Sequence, residues 1–286
     1  MRNLVILYFQ AESPRPRNGS ATSNRLDIMS LEAFIRDPRE VPFLKNQVKK
    51  ILEFAIDSSR SITIQENDDF GFMTIQFLFK QIQHAESVLH LVPRRDAGLI
   101  ARTMIDGLYK LLWASREHEE RAKLWRSFSV IHDWRMIQAR LKEGIAVDDK
   151  DIHKNEAGLK EFGILHFKNP KPNSPDPYNK YWHGRVKLSD MAEVDCRQLY
   201  DGPYSELSDW EHWGLEGIGN SIEREHNRII VNTDSDRITG VALLAAFQCL
   251  FETLRVADVY LRLHATDAIQ ALGDSFTGTM DSFYEK

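Results

Sequence analysis

The stretch Tyr-Ser-Glu-Leu-Ser-Asp-Trp-Glu-His at 204–212 sets Tyr204, Ser208 and His212 at four-residue intervals. On a helix turning about 100° per residue, all three fall on one flank. A phenol, a hydroxyl and an imidazole in a row can hold an anion and move a proton. Leu207, Leu215 and Ile218 make the apolar face of the same helix, with Glu211 inside that face and Ser208 and His212 along its edge. A carboxylate in an apolar stripe is costly unless paired, so Glu211 and His212 need partners.

The segment 99–113 offers them. Arg102 and Asp106 lie four residues apart, with Leu99, Ile105, Tyr109 and Trp113 around them and Ile100, Met104, Leu108 and Leu111 on the opposite face. Arg before Asp is the less favourable order for a simple surface pair, so both charges are expected to face into the fold. Arg102, Asp106, Tyr204, Ser208, Glu211 and His212 therefore form the candidate catalytic set. In RNA cleavage, His212 would shuttle a proton at the ribose hydroxyl and Arg102 would stabilise charge at phosphorus. Tyr204 and Ser208 would orient the phosphate, and Asp106 or Glu211 would set the imidazole tautomer. The competing reading is a hydrogen-bonded polar layer that fixes packing and catalyses nothing.

The elements that must position these residues are helical. Residues 1–41 read as an N-terminal arm: Leu-Val-Ile-Leu-Tyr-Phe, a strand or a docking arm, leads into a polar Pro- and Ser-rich stretch at 11–24. From residue 42 apolar residues recur at helical spacing, and 42–286 is expected to be a single α-helical domain. The expected fold class is all-α, a bundle of about seven or eight helices with a Pro-rich loop near 169–180. A short helix with Ser189 as its N-cap precedes the helix expected at about 203–218, and 228–240 reads as an extended turn. The apolar run 240–251 is shorter than the ~20 residues of a bilayer span and reads as a buried helix; no membrane partner is expected.

Composition narrows the partners. The chain has 286 residues, 37 basic and 42 acidic, a net charge of −5. That balance argues against broad capture of nucleic acid and leaves RNA binding to a local patch. Cys196 and Cys249 are far apart and form no metal or CxxC spacing, which fits a reducing cytoplasm without disulfides. No cofactor and no metal is expected. The chain carries no HExxH, P-loop or Ser-elbow motif. His84, Glu86 and His90 scatter around their helix, and Asn-Thr-Asp-Ser-Asp-Arg (232–237) lacks the Gly of a calcium loop. Arg94 and Arg95 open a helix in the manner of a phosphate site, although solvation is the commoner role. Trp182 and His183 suit base stacking or anchoring of their loop to the core, and the anchor is favoured.

Three segments in order resemble a bacterial all-helical family catalogued as domain of unknown function number 5677. They are Ala97–Trp113, where the family shows Arg followed four residues later by an acid, Trp182–Val194, and Tyr204–His212. The likeness covers about residues 65–265. The chain departs from the family with Asp106 where Glu is usual and Glu211 where an apolar residue is common. The resemblance implies an α-helical cytoplasmic protein, with relatives in mobile or defence-related gene neighbourhoods, and no assigned chemistry. A looser architectural likeness is to HEPN ribonucleases, which pair an Arg with a downstream His. Arg126 and His132 have that spacing, but six residues of helix set them about 120° apart.

Two functions stay open. One is a metal-independent RNA-cleaving enzyme in a defence or toxin setting. The other is a non-enzymatic helical module for a protein partner or ligand, with a structural polar layer. A homodimer is the expected assembly.

Overall fold

The computed structural model of the chain describes residues 40–60, 62–168, 175–193, 195–211, 222–225, 228–231 and 234–284. Residues 1–39 of the expected arm lie outside this set. Five long helices come first: α1 (Glu40–Ser59), α2 (Asp69–Leu91), α3 (Ala97–Ser115), α4 (His118–Lys142) and α5 (Asp149–Phe162), the last running into a 3-10 turn at Gly163–His166. Short helices follow at α6 (Leu188–Ala192), α7 (Arg197–Leu199) and α8 (Ser205–Glu211), with a π turn at Tyr200–Tyr204 between the last two. The long α9 (Asp236–Leu261) and α10 (Thr266–Tyr284) close the fold. The class is all-α, as the periodicity predicts.

The helix α9 is the post of the bundle, packed against α1, α2 and α3. Its run from Ile238 to Phe247 is buried without a break, and Leu250, Phe251 and Leu254 continue the buried surface. By length and composition α9 could cross a bilayer; 78% of its most apolar window is buried inside the protein. The Ser235 hydroxyl caps its start by accepting from the Ile238 amide at 3.3 Å. At its end Arg262 turns left-handed, and the Asp258 carboxylate accepts from the Ala265 amide at 2.8 Å and from the Thr266 hydroxyl, fixing the turn into α10. α1 buries Leu44, Val48, Ile51, Leu52 and Ala55 along one stripe, and the Asp68 carboxylate caps α2 through the Gly71 amide at 2.7 Å.

Three local expectations are corrected. The segment expected as an extended turn supplies strand β2 (Arg228–Val231), paired antiparallel with β1 (Ile222–Glu225). The short helix at 188 is capped by Lys187, whose amide donates to the Asp190 carboxylate at 3.0 Å, and Ser189 lies inside it. The helix expected to begin near 203 starts instead with the π turn that contains Pro203. Cys196 and Cys249 are free and buried.

Candidate functional site

The approach of α8 to α3 is built into two residues. A Cβ on Gly98 would lie 2.8 Å from a Leu207 methyl and 3.1 Å from Ile238, so a larger residue there would push the Leu207 side chain aside. Pro203 has no amide to donate and its ring opposes a regular turn. The chain widens to a π turn, a geometry found often at functional sites.

One helical turn beyond Gly98, Arg102 bridges the helices. Its Nε donates to the Ser208 hydroxyl at 2.9 Å and an Nη donates to the Tyr204 hydroxyl at 3.0 Å. The guanidinium carbon also sits 4.8 Å from the Tyr204 ring centre. Ser208 in turn donates to the Tyr204 carbonyl at 2.6 Å. Tyr204 stacks on Tyr200, which leans on the buried Tyr109 ring. The Tyr109 hydroxyl donates to the Cys196 carbonyl at 2.8 Å, and burial drives its phenol far above the usual range.

Arg102, Tyr204 and Ser208 thus meet, as the spacing predicts. The pairing drawn for Asp106 is corrected. Asp106 accepts from Lys110 at 2.5 Å and its side chain is 36% exposed, so it lies on the open strip of α3. Here the acid precedes the base by four residues, the favourable helical order. Glu211 ends α8, but its side chain and all of His212 lie outside the described residues.

Arg102→Met tests the bridge. It removes two charge-assisted bonds from a half-buried site, so a loss of about 1–2 kcal/mol is expected. The urea midpoint should fall at constant m-value, with amides of 204–211 losing exchange protection first. Unchanged protection there would show that α8 is held elsewhere.

Beside this bridge, the exposed strip of α3 borders two clefts that share Asp106 and Lys110. The outer cleft, about 650 Å³, brings Lys168, Lys180, Arg185 and Lys187 together with Lys110. Its far wall is the segment 175–187. That segment is tied down by Arg135, which donates to the Asn179 carbonyl at 2.7 Å and to Asp176 at 3.0 Å, and by the Asn179 amide on the His166 carbonyl. Trp182 leans on Trp113, so the expected anchoring of this loop by an aromatic residue is present, while His183 faces the outer cleft.

His183 stacks on Tyr181 with ring planes 5° apart. Its Nδ1 lies 2.9 Å from the Val186 carbonyl, which can only accept, so Nδ1 carries the proton and Nε2 the lone pair. Burial, then the Lys110 charge, holds this imidazole below its ordinary pKa, with the Val186 bond and Asp106 opposing. At neutral pH the ring is a neutral base. Gly184 turns left-handed beside it, at a φ of 66°.

The sequence carried a signal for this cleft that its motifs hid. Tyr-Asn-Lys-Tyr-Trp-His-Gly-Arg-Val-Lys (178–187) interleaves aromatic and basic residues, the pattern of nucleic-acid grooves.

Other candidates resolve structurally. Arg126 donates to Asp69 at 2.6 Å and to the Glu66 carbonyl, while His132 is exposed on α4. His90 lies 4.0 Å from Glu86 on an exposed face. Arg94 is exposed and pairs by backbone with Asp234, whereas Arg95 is buried. A Ser127–His166 contact at 2.9 Å is enclosed. Ser127 already donates to the Lys123 carbonyl at 2.6 Å, so it accepts a hydrogen bond from His166 Nε2 and cannot serve as an activated nucleophile. Among the described residues, no three His, Cys, Asp or Glu side chains converge as a metal set.

A model of a family described only as being of unknown function (DUF5677) matches residues 72–229. No curated protein matches, and neither does any solved structure.

Proposed function

The chain belongs to the family of unknown function DUF5677, and from the chemistry along α3 we propose that it binds single-stranded RNA in the outer cleft and cleaves it without a metal ion. The observation that carries this reading is the meeting of five cations with a stacked Tyr181–His183 pair in one cleft. Cations neutralise phosphates, and flat rings receive unstacked bases.

In the proposed reaction, the His183 Nε2 takes the proton from a ribose 2′-hydroxyl. The 2′-oxygen bonds to phosphorus as the bond to the 5′-oxygen breaks, leaving a 2′,3′-cyclic phosphate. The departing oxygen takes a proton from solvent. Lys110 and Arg185 offset the charge that grows on the phosphoryl oxygens. Arg102 acts from the neighbouring bridge, holding α8 and the segment that leads to His212. The two free, buried thiols fit the cytoplasmic setting that belongs to this proposal.

A second, non-enzymatic reading has its own support. Arg102, Tyr204 and Ser208 bond to one another, as a clasp between helices would. In that reading the outer cleft senses a phosphate ligand and cleaves nothing.

The test is cleavage of mixed-sequence RNA in EDTA by wild type, His183→Gln and His212→Ala, each with its melting temperature. A drop of about 10²–10⁴-fold for His183→Gln at an unchanged melting temperature is expected from loss of a general base. Loss with His212→Ala alone would move the base to that residue. No cleavage by wild type would leave the ligand-sensing reading.

A further inference from the structure

The inner cleft differs in chemistry from the outer one. It holds about 410 Å³ between α2 and α3, within the size range of small-molecule sites. Phe77, Trp125 and Trp182 wall it with flat apolar rings, Phe77 and Trp125 meeting edge to face at 5.9 Å. Gly107 on α3 contributes no side chain, and a Cβ there would reach to 3.4 Å from the Gln81 amide nitrogen.

Two residues of this lining each carry a buried polar atom without a partner among the described residues. Gln81 is 3% exposed, and its Nε2 donates to the Met104 carbonyl at 2.8 Å. A carbonyl can only accept, so the amide orientation is fixed and Oε1 is left as a buried acceptor without a partner among the described residues. One helical turn along α2, the buried Nε2 of His84 also lacks a partner. Burial and the nearby Lys80 hold this ring neutral, so Nε2 can donate or accept according to tautomer. A buried polar atom left unmatched costs about 1–3 kcal/mol, which a ligand supplying the missing bond would recover.

We infer that the inner cleft is a nucleobase subsite, taking a flat heterocycle between its aromatic walls and reading an N–H donor on the base edge with Gln81 Oε1. His84 Nε2 meets the adjacent ring nitrogen or oxygen. Because Asp106 and Lys110 border both clefts, a base seated inside sets its ribose and phosphate toward the five cations outside. The inference rests on the phosphate-binding reading of the outer cleft and adds to it the chemistry that selects the ligand.

The experiment measures binding of adenosine 5′-monophosphate, purine riboside 5′-monophosphate and ribose 5-phosphate to the full chain by calorimetry. The proteins are wild type, Gln81→Met and Arg185→Ala. Purine riboside keeps the ring and the phosphate but has no donor on its pairing edge. Wild type is expected to bind the adenosine nucleotide about tenfold or more tightly than the purine one. Gln81→Met should erase that ratio and leave ribose 5-phosphate binding unchanged, which a merely unfolded variant would not do. Equal affinities for the two nucleotides, with Arg185→Ala still weakening both, would overturn the base subsite and keep the phosphate reading. No binding of any of the three ligands would overturn both.

Discussion

An alanine at position 247 is expected to remove about 3–5 kcal/mol of stability, the usual cost of deleting a buried phenyl ring. Phe247 is 1% exposed on α9 and stacks on Phe276 of α10, with ring centres 4.2 Å apart and planes 13° apart. Phe251 lies near-parallel to Phe247 with ring centres 6.0 Å apart, and Phe43 of α1 meets Phe276 at 6.0 Å. Gly273 admits the Phe251 ring, whose atoms would lie 2.9 Å from a Cβ placed there. The rings are thus the joint that fixes α10 to the post. Against the 5–15 kcal/mol typical of a folded domain, the loss is a large share. Urea unfolding measures it, and hydrogen exchange locates it: α10 should lose protection before α2 or α3. A change spread evenly over all helices would show that Phe247 supports the bundle as a whole.

The second large effect is a dependence on pH centred on Glu252. This carboxyl is buried in α9, and burial raises its pKa from 4.5 to about 7. Arg255, whose guanidinium lies 3.1 Å from it, and the Gln248 amide oppose only part of that rise. In the window from 4.5 to 7 the folded chain therefore holds a proton that the unfolded chain has released. Stability falls as pH climbs through that window, by on the order of 3 kcal/mol in total. Asp195, buried and paired with Arg116 at 2.6 Å, is shifted upward as well and adds to the same slope. Glu252→Gln should flatten most of the slope between pH 5 and 8 and make the chain more stable than wild type at pH 8. A variant less stable at every pH, with the wild-type slope intact, would make the Glu252–Arg255 pair net stabilising and place the titration elsewhere.

How far the sequence carried these features depends on the range of the interactions involved. The long helices were legible because their apolar residues repeat locally; α9 and α3 are apolar on most sides and prove to be central. The four-residue spacing of Tyr204 and Ser208 pointed to a shared partner, and Arg102 is that partner. Asp106 pairs with Lys110, four residues after it, because that order is more favourable on a helix than the one with the arginine before it. The strand at 228–231 was missed for want of alternation. The inner cleft had no local signature. Gln81 and His84 look like ordinary surface residues of a helix until α3 and Trp182 close over them, and Lys110 of the outer cleft lies 58–77 residues along the chain from the other four cations.

The position of the post along the chain also sets a timetable for biosynthesis. α1, α2 and α3 are complete by Ser115, but the helix that buries their inner faces ends at Leu261. At about 5–20 residues per second on the ribosome, that interval lasts roughly 7–30 s. For all of it the faces of the first three helices that α9 covers lack that cover. The bundle can close only once α9 is present, and a polypeptide truncated before it would hold the early helices without the surface that seals them.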